Sequence, residues 1–152
     1  MNHRRLRMPL LLRVAMLFGG FFGIVGTTAG LAALVDVVVT DRPFTINEDP
    51  VLRSDFLAVA VPFLLFYVAA CVTAGSASWS LWKQRSGARL LLTALLVEFV
   101  VGDAAMLVLA SRLTDVSVAE LLFSAMAFTV LVALALWYLF RKRSVVEYFG
   151  SL

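Results

Sequence analysis

The sequence predicts an all-α integral membrane protein, an antiparallel bundle of four transmembrane helices that forms one domain over residues 1–152. Hydrophobic residues make up 62% of the chain and charged residues 15%, whereas soluble domains are nearer half apolar and a quarter charged. The apolar residues lie in four runs, each of which reaches the about 20 residues that a spanning helix needs. The segments between the runs are too short for a second domain.

The basic residues sort to one set of helix ends, which predicts the orientation in the membrane. Ten of the thirteen form this set: Arg4, Arg5, Arg7, Arg13, Lys83, Arg85, Arg89, Arg141, Lys142 and Arg143. Such an excess in short loops marks the cytoplasmic side. Both termini are therefore predicted to be cytoplasmic, with the basic ends against anionic lipid headgroups. This bias accounts for the net charge of +3, so nucleic-acid binding is not predicted.

Small residues follow one face of each of the first two runs, residues 14–37 and 56–82. In run 1 they include Gly19, Gly23, Gly26 and Gly30; in run 2 they are Ala70, Ala74 and Ser78. We call these two sets the small-residue seams. Spacings of three and four residues keep each set on one helix face and let two backbones approach closely. The seams therefore predict either an oligomer interface or packing between helices of the same chain.

The segment 38–55 between these runs is the longest polar stretch and is predicted to be an acidic outer loop with a short strand-like or re-entrant piece. Run 2 contains Pro62, which lacks an amide hydrogen and therefore predicts a kink. Trp79 and Trp82 end this run, where tryptophan rings mark a membrane–water interface.

Run 3, residues 90–111, carries two acids, Glu98 and Asp103. Each lies nine residues from a basic residue at the helix end, about 14 Å along the axis. They are five positions apart and therefore project about 140° apart around the helix, towards different neighbours. Acids at this depth are costly and indicate a functional site.

Matching positions by depth predicts the polar neighbours of the two acids. Thr73 lies at the depth of Glu98, whereas Thr28 and Tyr67 lie nearer the depth of Asp103. No Lys or Arg occupies the middle of a run. Three interpretations therefore stay open: neutral, hydrogen-bonded acids, acids that handle a proton or cation, and acids that pair with a basic residue of another subunit.

Run 4, residues 118–140, ends in an aromatic pair and the basic cluster 141–143. The tail beyond it is amphipathic and is predicted to lie on the membrane surface or to dock on a cytoplasmic partner. Tyr138-Leu-x-Arg141 with Val145 and Phe149 resembles the end of some bacterial four-span inner-membrane proteins. A bacterial inner-membrane location is therefore predicted.

Three kinds of function remain after this reading, of which a membrane enzyme is the least favoured, because only the outer acidic loop offers a polar cluster at one interface. A single cysteine, Cys71, and a single histidine, His3, leave no disulfide, bis-histidine haem or histidine-based metal site within the runs, so no cofactor, no metal and no catalysis are predicted. The first prediction is an accessory or scaffold subunit of a larger membrane complex, or a self-associating bundle. The alternative is a small oligomeric transporter or channel that uses Glu98 and Asp103 to carry protons or cations.

Overall fold

The computed structural model describes residues 8–40, 44–46, 49–113 and 118–151. This part of the chain forms six α-helices and one short two-stranded ribbon. The helices are α1 (Leu10–Phe21), α2 (Thr27–Val39), α3 (Arg53–Trp82), α4 (Ala88–Leu113), α5 (Val118–Arg141) and α6 (Arg143–Gly150). A π-helical segment, Phe22–Gly26, joins α1 to α2. The ribbon pairs β1 (Phe44–Ile46) with β2 (Asp49–Val51) in antiparallel register. The predicted helical fold is confirmed.

Two helical stretches of the described chain are long and apolar enough to cross a membrane. One is Leu10–Val39, hereafter the first span, which contains α1, the π-helical segment and α2; the other is α3. The pair Ala125–Arg141 and Arg143–Gly150, bent by 55°, adds a third if it counts as one broken span. These helices are compatible with membrane insertion, and the four-span bundle and its orientation stay predictions.

The first span and α3 approach each other backbone to backbone along the small-residue seams. A Cβ atom on Gly23 would overlap the backbone of Gly75, whose amide nitrogen would lie 2.9 Å away. A Cβ atom on Gly26 would lie 2.6 Å from the Cys71 sulfur. The same crowding recurs where Gly19 faces Ser78 and Ala74, and where Gly30 faces Val68 and Tyr67. The seams therefore join two helices of one chain, which is the second of the two interpretations of the sequence.

A short turn joins α3 to α4 and makes them a helical hairpin. The Arg85 amide donates to the Ser80 carbonyl at 2.9 Å and the Gln84 amide to the Leu81 carbonyl at 3.1 Å, which is the Schellman pattern of helix C-termini. Gln84 takes a left-handed conformation with φ of 53°, which costs a residue other than glycine about 1 kcal/mol. Hydrogen bonds thus fix the position of Arg85 at the basic end of the helices.

A buried hydrophobic cluster closes this basic end. The chain bends by 55° between α5 and α6, and the apolar face of α6 packs on the ends of four other helices. The cluster comprises Leu12, Leu81, Ala88, Leu139, Val145, Tyr148 and Phe149. The tail therefore packs its apolar face on its own chain, and its predicted position on the membrane surface or on a cytoplasmic partner stays a prediction. Its apolar face is covered by helix ends that are far apart in the sequence.

We expect Gly23→Ala to destabilise the protein, because the added methyl group meets the Gly75 backbone, which has no side chain that can move away. Such overpacking costs about 1–3 kcal/mol. Gly20→Ala is the matched control: its Cβ would lie 3.9 Å from Ser78 Cβ, an ordinary contact, and replacing a helical glycine stabilises by about 0.5–1 kcal/mol. Unfolding in detergent, followed by circular dichroism, measures both free energies. Equal changes in the two variants would contradict the close approach.

Tyr148→Ala should loosen α6, because the side chain is 1% exposed within the cluster and removing a buried aromatic ring costs about 3 kcal/mol or more. Val146→Ala, on the exposed side of the same helix, should change stability by less than about 0.5 kcal/mol. The rate of trypsin cleavage at the basic cluster 141–143 measures how far α6 is loosened. Equal cleavage rates in wild type and Tyr148→Ala would show that α6 does not protect this junction.

Candidate functional site

Glu98 on α4 faces α3 and contacts Thr73. The Thr73 hydroxyl lies 2.9 Å from Glu98 Oε1 and 3.1 Å from the carbonyl oxygen of Ala69 in its own helix. The other carboxylate oxygen, Oε2, is buried and has no hydrogen-bond partner among the described residues. Depth matching placed Thr73 and Glu98 together, and the structure brings their side chains into contact between α3 and α4.

The number of protons at this contact constrains its chemistry. A threonine hydroxyl carries one proton, so it can fully satisfy either Ala69 O or an ionised Glu98, but not both. The Thr73 hydroxyl donates to both Glu98 Oε1 and Ala69 O and therefore shares its one proton between the two oxygens. The contact thus gives Glu98 one shared hydrogen bond within the chain.

Asp103 faces a different neighbour. It lies in a partly open cleft of about 340 Å³ between α4 and α5. The walls from α4 are Val100, Ala104 and Leu107; those from α5 include Ala125, Phe128, Thr129 and Val132. The Thr129 hydroxyl donates to the Ala125 carbonyl of its own helix at 2.8 Å. None of the described residues that line the cleft is basic, so Asp103 meets no counter-charge there.

The other two predicted polar residues, Thr28 and Tyr67, contact the first span. The Thr28 hydroxyl donates to Ile24 O of its own helix at 2.8 Å, and the side chain is exposed. The Tyr67 ring packs against Gly30, and its hydroxyl group lies beside Gly26. The contacts described for these two residues do not include Asp103, so their place in one polar site with Asp103 stays a prediction. Depth gives a residue's height along a helix and not the side to which it points.

The small-residue seams hold no polar site of their own. Ser78 is buried and donates to the Ala74 carbonyl of its own helix at 2.8 Å. Ala70 is half-buried on α3. The four seam glycines of the first span, Gly19, Gly23, Gly26 and Gly30, pack closely against α3. No group of three or more His, Cys, Asp or Glu side chains in the described ranges is arranged to hold a metal ion.

Arg89 is a structural residue that the sequence did not single out. Its Nη2 donates to the Leu139 carbonyl at 3.0 Å, one of the last carbonyls of α5, which lack partners within the helix. The guanidinium carbon lies 4.2 Å from the Phe140 ring centroid and 5.9 Å from that of Phe149. Arg89 therefore ties the start of α4 to the end of α5 and to α6. Its position beside the hydrophobic run suggested a lipid-facing anchor instead.

The outer side of α6 is charged. Arg143 Nε and Glu147 Oε1 form an ion pair at 2.7 Å, one helical turn apart, and this hydrogen bond raises the pKa of Arg143 above its ordinary value.

On the side of α6 that faces the hydrophobic cluster, burial raises the pKa of the Tyr148 hydroxyl. Because the folded pKa of Tyr148 lies above its unfolded value, the contribution of α6 docking is fully present below pH about 10. It weakens as the pH rises through the folded pKa.

The chain matches no protein-family model, no curated protein sequence and no solved structure. Function is therefore inferred from the geometry of the two acids and the surfaces around them.

We expect Thr73→Val to destabilise the protein by about 1 kcal/mol, because it removes the partner of Glu98 inside the helix pair. Thr129→Val is the control, since the Thr129 hydroxyl bonds to its own helix backbone only. A double-mutant cycle of Thr73→Val with Glu98→Leu, measured by unfolding in detergent, isolates the coupling. Additive effects of the two substitutions would mean that the contact contributes nothing to stability.

Proposed function

We propose that this protein is a non-catalytic, membrane-embedded accessory subunit whose α4–α5 cleft receives a transmembrane segment of a larger membrane protein. The observation that supports this most directly is Asp103, an acid near the middle of a helix that lies in an open cleft without a basic neighbour among the described lining residues. A charge at that depth costs about 2.5–3.5 kcal/mol by insertion scales. A basic or hydrogen-bond-donating residue on the incoming segment would offset this cost.

The shape of the cleft supports a helix as its occupant. Its walls are mainly apolar side chains from two neighbouring helices, and small residues such as Ala104 and Ala133 leave room for a helix to approach closely. The small-residue seams, by contrast, are filled by the chain's own helices. Association through the cleft is therefore favoured over self-association through the glycines of the first span.

In this proposal the chain spans the bacterial inner membrane four times with both termini in the cytoplasm. The supporting observations are the ten basic residues at one set of helix ends and the positions of α1–α2, α3, α4 and α5, which match the four apolar runs. The basic end then lies in the cytoplasmic headgroup region, where it contacts anionic lipids. The ribbon of β1 and β2 lies on the opposite side.

The second candidate, a proton- or cation-coupled transporter, is supported by Glu98 Oε2, which is buried without a partner. Exchange of a proton at this carboxyl group would be the transport step. The two acids, however, face different sides of α4, one towards α3 and the other towards α5. The contacts described for them do not form one polar path, which favours the accessory subunit.

Asp103→Leu should abolish association with the partner segment, whereas Val97→Ala, an exposed position elsewhere on α4, should leave it unchanged. A photo-reactive residue at Ala104, in the cleft wall, identifies the contacted segment by cross-linking in native membranes. If that segment carries a lysine or arginine, Asp103→Lys combined with the reverse substitution in the partner should restore the cross-link. A cross-link that is indifferent to residue 103 would contradict the proposal.

Purified protein in liposomes separates the two candidates. An accessory subunit alone should dissipate a proton or Na⁺ gradient no faster than protein-free liposomes. A flux that Glu98→Gln abolishes, with the fold intact by circular dichroism, would establish the transporter instead.

A further inference from the structure

A second concave surface lies between the first span and α3, along one side of the contact between the two seams, and its lining includes Gly23, Gly75 and Ser78. It is a groove of about 880 Å³. Its apolar walls include Met16, Leu17, Gly20 and Ile24 from the first span and Val72 and Gly75 from α3. Glycines bring the two backbones together and form the floor of the groove. The larger side chains on either side of the glycines form its walls. It is separate from the cleft that holds Asp103.

At the basic end of the helices, tryptophan and basic side chains line the groove. Trp79, Trp82 and Arg85 line it there. The Lys83 ammonium group lies 5.0 Å from the Trp79 ring and 4.9 Å from the Trp82 ring, so cation–π contacts hold a second positive charge beside the rim. Arg85 has no carboxylate partner within the described chain. The rim therefore presents positive charge at the level where aromatic side chains mark a membrane interface.

The length of the groove matches one leaflet of a bilayer. From Met16 to Thr27 the first span rises by about 16 Å, and half of the hydrocarbon core is about 15 Å thick. At the far end, Thr27 Oγ1 is buried and has no hydrogen-bond partner. The groove thus extends from a charged rim to the centre of the membrane, which is the extent of one phospholipid molecule.

We propose that this groove binds one anionic phospholipid of the cytoplasmic leaflet, with its phosphate at Arg85 and an acyl chain along Gly20 and Ile24. The hydrocarbon walls fit the acyl chain, and Arg85 with Lys83 complements the negative headgroup. A second copy of the chain fits less well. Two copies inserted in the same direction would bring their Arg85 and Lys83 residues together at the same depth, and like charges repel.

Tryptophan fluorescence tests the proposal on the full-length protein, because two of the three tryptophans line the groove. A Trp137→Phe background leaves Trp79 and Trp82 as the reporters. The protein is reconstituted in phosphatidylcholine vesicles that contain small amounts of phosphatidylglycerol or phosphatidylcholine with brominated acyl chains. Brominated phosphatidylglycerol should quench at a mole fraction about fivefold lower than brominated phosphatidylcholine, the preference expected from one basic residue beside an anionic headgroup.

Two variants and one matched control test whether the lipid that quenches the tryptophans binds in the groove. Arg85→Gln should remove the preference for phosphatidylglycerol, whereas Arg141→Gln, an exposed cation at the same end of the molecule, should retain it. Gly20→Leu should weaken quenching by both lipids, because Gly20 lines the groove and the leucine side chain would fill part of it. A Cβ atom at this position makes only an ordinary contact with Ser78 Cβ, at 3.9 Å. Circular dichroism confirms the fold of each variant.

Several results would overturn the proposal. One is equal quenching by the two lipids; another is the same loss of preference in Arg85→Gln and Arg141→Gln, which would indicate general surface charge. Unaltered quenching in Gly20→Leu would place the lipid elsewhere. Quenching that falls as the protein-to-lipid ratio rises would show that a second copy occupies the groove. Competition by added glycerol phosphate would show a site for the free phosphate group and not for a lipid.

Discussion

The contact between the Gly23 and Gly75 backbones is the constraint on which the rest of the structure depends. In a bilayer the lipid tails are as apolar as leucine, so helices associate through close packing and polar contacts and not through the hydrophobic effect. The glycines of the first span provide that close packing with α3. Because they are used inside the chain, surfaces for other molecules must come from elsewhere, namely the groove beside this contact and the cleft between α4 and α5.

The two acids of α4 differ in what surrounds them. Glu98 accepts a hydrogen bond from Thr73. Asp103 lies in a cleft whose described lining residues include no basic side chain, and Thr129 in its wall donates to its own helix. Glu98 is therefore held against a neighbouring helix of the chain, whereas Asp103 lies in an open cleft with no basic neighbour among the described lining residues. This difference, and not the presence of two acids in one helix, motivates a partner segment.

Patterns within one helix were predictable from the sequence, and contacts between helices were predictable only in part. Run lengths predicted helices whose ends lie within a few residues of those observed, and helical spacing predicted that Glu98 and Asp103 face different neighbours. The packing of Tyr67 against the first span was not predictable, because depth carries no information on which side of a helix meets which neighbour. The docking of Tyr148 was not predicted, because the apolar face of α6 is covered by four helix ends, three of which are distant in sequence. The role of Arg89 likewise depends on a carbonyl of α5.

The two proposed binding surfaces lie on different helix pairs and can be occupied at the same time. The groove is formed by the first span and α3, and the cleft by α4 and α5. The Schellman turn and the Glu98–Thr73 contact join these two pairs. At the basic end, α6 and Arg89 fix all the helix ends relative to one another, so Arg85 holds its place whatever enters the cleft. A lipid in the groove would then stay bound while a partner segment associates, and the lipid and the partner would be recognised independently.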